Sequence, residues 1–198
     1  MNDITTIDYI ELALAIVFPL ISALYTLYVH NEDKKEREKL RKEQGRLQKK
    51  QEDIEAITQY RQVKDQEKYF KDDIVKLTVA LKSDDTDAIH IAFLSLYSSF
   101  TDLFNEVNAF CALLNIGTVS SEEVLKHTGI DLVLKLAYDQ CDAYATLKAA
   151  AEKSGHKNEM KRPDWNAFPE YDKFLQKRMS DKQWSNLCEK RKEVGLKL

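Results

Sequence analysis

The chain has 198 residues, of which 43% are hydrophobic and 32% are charged, and its net charge is −3. It contains five glycines and three prolines. So few turn residues exclude a glycine-rich nucleotide-binding loop and predict an all-α protein. The charge is uneven, because residues 83–154 sum to −7 while the flanking segments 31–82 and 155–198 sum to +3 and +4. A general nucleic-acid-binding protein more often has a basic domain, so we do not expect nucleic acid as a partner.

The first predicted element is an apolar helix near the N-terminus. Residues 12–29 carry no charged side chain and would form about 27 Å of helix, close to the thickness of the hydrocarbon core of a bilayer. Thr5 followed by Asp8 is typical of a helix start, so residues 1–30 are predicted to be a single transmembrane anchor. The positions that define this anchor are Leu12, Pro19, Tyr25 and Tyr28.

The flanks of the apolar helix predict its orientation. Residues 1–11 contain no Lys or Arg, whereas residues 31–50 contain nine. Because basic residues beside a span stay in the cytoplasm, we expect the N-terminus outside the inner (cell) membrane and the remaining chain inside. A cleaved signal peptide, which would carry its positive charge before the apolar run, and a buried helix of a soluble protein are the alternatives. The residues expected to contact the anionic inner leaflet are Lys34, Lys35, Arg37 and Lys39.

Residues 31–82 are predicted to form a long charged helix. Its first apolar residues, Leu40, Leu47 and Ile54, recur every seven positions. A denser 4-3 pattern follows, interrupted by Glu67, and it predicts a heptad seam. The seam either joins copies in a parallel coiled coil, which predicts a homo-oligomer, or ends a solvated stalk by packing on the next helix of the same chain. The apolar members of the seam are Ala56, Tyr60, Val63, Phe70, Ile74, Leu77 and Leu81.

Residues 83–198 are predicted to form a small helical-bundle domain. Wide apolar faces indicate long helices at 86–115 and 130–153, and a short helix at 121–127 lies between them. A basic helix at 181–194 ends the chain. The residues able to cap the first of these helices are Ser83, Asp84 and Asp85. The aromatic residues expected to lock the end of the chain onto the core are Trp165, Phe168, Tyr171 and Phe174.

Motifs of enzyme chemistry are missing from the sequence. It contains no GxGxxG, P-loop or GxSxG pattern. The histidines have no partner at zinc-ligand spacing, and His90 with Asp87 is more simply interpreted as a surface pair than as a catalytic one. We therefore expect no enzyme activity, no metal and no cofactor. The cysteines lie far apart and are expected to be free thiols, two of them on apolar helix faces: Cys111, Cys141 and Cys188.

Three segments of the domain resemble a known family. They are FNEVNAFCALLNIG at 104–117, VSSEEVLKHTG at 119–129, and a late block with Trp165, the run FPEY at 168–171, and FL at 174–175. This part of the chain is similar to small all-α bacterial domains of unknown function that occur in prophage and phage-defence neighbourhoods, including some retrons. Members of that family are often tethered by one N-terminal transmembrane helix. The resemblance implies a membrane-tethered defence component and brings no catalytic residue with it.

The sequence as a whole predicts a single-pass, inner-membrane-anchored helical protein that acts by binding a protein partner in bacterial or phage-encoded defence. One alternative is an oligomeric effector of an abortive-infection system that perturbs the membrane, with Pro19 and the seam setting its assembly. A second alternative is a metal-dependent hydrolase in which the acidic residues between Asp84 and Asp87 hold the metal.

Overall fold

The computed structural model describes residues 6–116, 130–157 and 167–196, with side chains from Ala15 onward. These residues form five α-helices and no strand, which confirms the all-α class. The predictions made for the side chain of Leu12, for the helix at 121–127 and for Trp165 lie outside the described residues. The helices are α1 (Thr6–Ala80), α2 (Thr86–Ile116), α3 (Ile130–Lys153), α4 (Pro169–Arg178) and α5 (Asp181–Glu193).

Helix α1 is continuous over 75 residues, so the segments predicted as anchor and charged helix form one helix. Pro19 lies inside it and removes one backbone hydrogen-bond donor. The chain divides into two units, Met1–Gln48 and Lys49–Leu198. The boundary predicted between stalk and domain, after residue 82, therefore falls inside the second unit. The physical reason is that the last turns of α1 contribute buried side chains to its core.

Helix α2 is the central helix of the second unit. It packs on α3 and α4, while α5 packs on the same two helices. The rings of Phe100 and Phe104 on α2 also contact the ring of Phe70 from α1, at centroid distances of 6.3 and 6.2 Å. The predicted wide aromatic face of α2 thus lies in the core, as expected of a central helix.

The turn between α1 and α2 is held by side-chain caps. The Asp85 carboxylate accepts hydrogen bonds from the backbone N–H groups of Asp87 and Ala88, at 3.1 and 3.0 Å. Of the three candidate caps, Asp85 is therefore the one used at the start of α2. At the end of α3, Lys153 donates to the carbonyl oxygens of Leu81 and Ser83, which satisfies acceptors at the end of α1.

The start of α4 is capped by a residue of another helix. The side-chain oxygen of Asn108, on α2, accepts hydrogen bonds from the N–H groups of Glu170 and Tyr171, at 3.0 and 3.1 Å. Asn115 donates to the carbonyl and the carboxylate of Glu170, both at 2.8 Å. Segments 104–117 and 168–171, which carry the family resemblance, thus meet directly. Among the late aromatic residues, Phe168, Tyr171 and Phe174 are buried, which confirms their predicted place in the core.

Candidate functional site

The first candidate site is the apolar stretch of α1 between Ile16 and Val29. The side chains of residues 15–30 are all exposed, and the ten large apolar ones are 39% to 71% exposed. They point in every direction around the helix, because successive residues are turned by roughly 100°. The hydroxyl of Thr26 donates to the carbonyl of Ser22 at 2.8 Å, so it is satisfied without water. A helix that is apolar all round is typical of one surrounded by protein core or by lipid.

Three of the four predicted anchor residues lie in this stretch. Pro19 is inside the helix. Tyr25 and Tyr28 lie near the C-terminal end of the apolar stretch and are 69% and 65% exposed. Leu12 precedes the first described side chain. Among the residues whose side chains are described, no helix contains a run long and apolar enough to cross a membrane.

The predicted lipid-contacting residues follow on the same helix. Lys34, Lys35, Arg37 and Lys39 are all exposed. At roughly 100° per residue, their positions span about 200° of the helix circumference and leave the opposite side without any of the four. Lys35 pairs with Glu32 at 3.0 Å, but both side chains are exposed, so this pair contributes little to stability. The four residues, called the collar, make a short basic segment that follows the apolar stretch.

Beyond this collar, α1 carries an exposed stripe made of Leu40, Leu47 and Ile54. Their side chains are 53%, 64% and 65% exposed. Residues seven apart lie on nearly the same face of a helix, so the three form one line. Leu40 and Leu47 are the only apolar residues between positions 31 and 53. The exposed stripe is thus a regular apolar feature in an otherwise polar stretch.

The structure places the seam in the core of its own chain. Ala56, Val63, Phe70 and Leu77 are at most 1% exposed, and the other members, Tyr60, Ile74 and Leu81, pack against the same core. The ring of Tyr60 contacts Phe110 of α2 at 5.6 Å. The coiled-coil interpretation of the seam is therefore corrected: side chains already covered by α2 cannot also cover those of a second copy. The alternative, packing on the helix at 86–115, describes what is found.

Glu67, the polar interruption of the seam, belongs to a charged cluster between α1 and α3. It is 9% exposed and pairs with Lys71. Burial, together with the charge of Glu67, raises the pKa of Tyr60. Burial also raises the pKa of Asp139 on α3, which Lys135 and Lys71 oppose. The one ion pair in this cluster, Glu67 with Lys71, lies within α1 and has a structural role.

Asp73 joins α1 to α2 at the edge of the seam. It is 7% exposed and accepts a hydrogen bond from Lys76 at 2.7 Å. Burial opposes its ionisation, but hydrogen bonds from Lys76, Ser95 and Ser99 lower the pKa of the carboxyl below its usual value. Because Ser95 and Ser99 belong to α2, groups from both helices favour the charged form of Asp73.

A buried arginine connects the last three helices. Arg191 on α5 is 1% exposed and donates to Asp172 on α4 at 2.9 Å and to Gln140 on α3 at 3.3 Å. Burial raises the pKa of Asp172, while the charge of Arg191 opposes the rise. The Trp184 ring lies 5.7 Å from the guanidinium. Sequence reasoning did not single out Arg191, because nothing in a basic helix distinguishes one buried arginine from its exposed neighbours.

The acidic residues between Asp84 and Asp87 have structural roles. Asp85 caps α2, and Asp84 lies 3.9 Å from Lys153. In the part of the chain that the structure describes, no three His, Cys, Asp or Glu side chains come together as metal ligands.

Two histidines that are distant in sequence meet in the fold. The rings of His90 and His156 stack at a centroid distance of 3.7 Å. The spacing of the histidines in the sequence gives no sign of this contact. No local signal could have found the pair, because it forms only when the end of α3 packs beside the start of α2.

The cysteines are free thiols in the structure, as predicted. Cys111 and Cys141 are buried, and burial raises the pKa of both thiols, so neither is a reactive thiolate. Cys188 is half-buried.

A cavity of about 170 Å³ lies between α2, α3 and the start of α4. Its walls are largely apolar, with Thr101 and Asn105 among the polar exceptions. Its wall at Ala167 adjoins residues 158–166, which are outside the described part of the chain. The cavity therefore carries no ligand assignment.

Comparison with known proteins adds no relative. The chain matches no protein-family model. No curated protein and no solved structure matches it either. The similarity to membrane-tethered phage-defence domains therefore stays a prediction from the quoted segments.

Proposed function

We propose that this chain is a single-pass inner-membrane protein whose N-terminal helix anchors a helical interaction module. One observation carries the proposal: residues 16–29 of α1 are apolar and exposed on all sides. Exposed apolar surface costs about 25 cal/mol per Å² in water, and soluble monomers rarely expose more than a few hundred Å² of it in one patch. Lipid around the helix would remove that cost.

The distribution of charge supports a helix that crosses the membrane over one that lies flat on it. An interfacial helix places its basic residues on one face and its apolar residues on the other. Here the apolar residues surround the helix at 16–29, whereas the basic residues lie further along the helix, at 34–39. The two kinds of residue are thus separated along the axis, which favours a span with the basic collar at one surface.

The position of the collar supports an N-terminus outside and a module inside. All nine basic residues of segment 31–50 follow the apolar stretch, and none precedes it. Each Lys or Arg near an anionic leaflet contributes about 1 kcal/mol of attraction. The anchor and the collar therefore support a cytoplasmic position for the unit from Lys49 onward.

Membrane insertion is tested by carbonate extraction of membranes that contain the full chain. The wild-type chain should stay in the membrane pellet, whereas Ile21→Lys with Leu24→Lys should release it, since a charge at mid-span costs about 2.5–3.5 kcal/mol. The matched control is Val75→Lys with Val79→Lys, on the same helix and 62% exposed at both positions. Wild-type chain in the soluble fraction would contradict the anchor.

Orientation is tested by protease digestion of spheroplasts. A C-terminal tag should be protected in the wild type. Changing the four collar residues to Glu should expose a fraction of the tags, because positive charge beside the span holds it inside. A control changes the same number of charges at exposed positions of the module: Lys173, Lys177, Arg178 and Lys182. Cleavage of the wild-type tag would overturn the proposed orientation.

We propose further that the module binds a protein partner in phage defence and has no catalytic role. The family resemblance supports the setting. The engagement of buried ionisable groups in helix contacts, such as Arg191 with Asp172, supports binding over catalysis. Genes for phage defence beside this gene, and one complex that copurifies from membranes of infected cells, are the expected results. Dye leakage on expression of the chain alone would instead favour the membrane-perturbing effector.

A further inference from the structure

The exposed stripe of Leu40, Leu47 and Ile54 has a regular charge pattern on both sides. When the three apolar residues are placed at heptad position d, the a positions between them are Gln44 and Gln51. Placing them at position a would instead put Glu43 and Lys50 at the d positions. The first register is therefore the one that keeps charge out of the line of contact.

In this register the flanking positions of two parallel copies are complementary. Position g of one helix faces position e five residues later on the other. Glu36 then faces Arg41 of the second copy, and Lys50 faces Glu55 of the second copy. The third pair, Glu43 with Gln48, has only one charged member and therefore causes no repulsion. Each attractive pair occurs twice in a symmetric dimer, and no g–e pair joins like charges. Arg37 takes the a position just before Leu40 and marks the N-terminal edge of the stripe.

We propose that two copies of this chain pair in parallel along the exposed stripe. This inference rests on the proposed function, because the anchor supplies the orientation. Antiparallel helices would also match some of these charges, but two chains inserted in one membrane with the same topology start their helices from the same surface. Confinement to a membrane also raises the effective concentration of the second copy, which assists a contact of three apolar and two glutamine layers.

The packing of the second unit leaves this surface open. Ile54 and Ala56 are two residues apart, which is a rotation of roughly 200° on a helix. Ala56 is completely buried in the seam, whereas Ile54 is 65% exposed. At Ile54, the stripe therefore faces away from the core that the seam enters. Pairing along the stripe needs no opening of the module.

The test is disulfide crosslinking of the full chain in membranes, in a Cys188→Ser background. Leu40→Cys and Ile54→Cys are made separately, and each should give a dimer on mild oxidation, because d positions of a parallel pair bring identical residues together. The matched controls, Lys42→Cys and Lys49→Cys, lie on the opposite side of the same stretch. We expect at least about tenfold less dimer from them, since a disulfide needs Cα atoms within about 7 Å.

A second variant set separates pairing from chance collision. Leu47→Asn should reduce the Ile54→Cys dimer to the level of the controls, while the helicity of the module stays unchanged. Equal crosslinking at stripe and control positions would overturn the proposal. So would crosslinking of Leu40→Cys only to Ile54→Cys in mixed samples, which indicates an antiparallel pair.

The membrane fraction distinguishes this failure from failure of the proposed function. If the chain pellets with membranes but does not crosslink at the stripe, the proposed anchor stands and the proposed parallel pair is wrong. If the chain is soluble but crosslinks at positions 40 and 54, the proposed anchor is wrong and the proposed pair stands.

Discussion

Helix α1 carries two apolar lines with heptad spacing, and they differ in burial. The seam, from Ala56 to Leu81, is buried against α2 of the same chain. The exposed stripe, from Leu40 to Ile54, has no such cover. The comparison shows that heptad spacing reports a helix face that must be covered, but not whether the cover is the same chain or another one. The difference lies in composition: the seam is dense and aromatic, and the stripe is sparse and flanked by charge.

The largest expected effect comes from breaking the seam. Ile74→Asp with Leu77→Asp should unfold the module, because Leu77 is fully buried and Ile74 packs beside it. Each change removes a large apolar contact worth roughly 2–5 kcal/mol, and each also buries a carboxyl. Circular dichroism measures this unfolding, as a loss of the helical signal and of the cooperative thermal transition.

The control for this pair is Val75→Asp with Val79→Asp, on the exposed side of the same turns. It should melt like the wild type. A folded module that merely changes from dimer to monomer in the seam variant would restore the coiled-coil interpretation of the seam.

A smaller effect is expected at the edge of the seam. Asp73→Asn should lower the free energy of unfolding by about 1–2 kcal/mol at pH 7, because it weakens charge-assisted hydrogen bonds to Lys76, Ser95 and Ser99. The folded-state pKa of Asp73 is lowered, so its contribution is present above the unfolded value of about 3.9 and is lost as pH falls through the folded value.

Denaturant titrations of both proteins between pH 7 and pH 2 check this sign. The difference between wild type and Asp73→Asn should be constant near neutral pH and shrink below about pH 4. Asp72→Asn is the exposed neighbour and should show little difference throughout. A difference that grows with acidity would contradict the role given to Asp73.

Helix α2, which covers the seam, also packs on α4. Asn108→Ala should cost about 1 kcal/mol, because two N–H groups at the start of α4 lose their acceptor. A thermal melt measures it, with Asn105→Ala, an exposed neighbour on α2, as the control. Equal melting temperatures for the two variants would mean that water replaces the Asn108 oxygen.

The smallest effect on stability is expected in the exposed stripe. Leu47→Asp should change the free energy of unfolding of the module by less than about 0.5 kcal/mol, because the side chain is already 64% exposed. Denaturant unfolding of the purified full chain measures it. A large destabilisation would show that the stripe packs within the chain, as the seam does.

Most helices were predictable from local pattern. The long helices at 86–115 and 130–153 follow from wide apolar faces, and the structure has them at Thr86–Ile116 and Ile130–Lys153. The buried place of Phe168, Tyr171 and Phe174 also follows from their density. The capping box of Ser180 and Gln183 on α5 was a local signal that the prediction did not use. These features depend on neighbours within a few residues, so they can be predicted from the sequence.

The sequence by itself determined the all-α class, the apolar and basic segments of α1 and the positions of its two heptad lines, because periodicity and charge are properties of neighbouring residues. Only the tertiary structure decided that the seam packs on α2, that Asn108 caps α4, that His90 stacks on His156 and that Arg191 is buried between helices. Each of these contacts joins residues far apart in the chain. Their formation depends on how whole helices pack, and no local pattern specifies which of several apolar faces a given helix will cover.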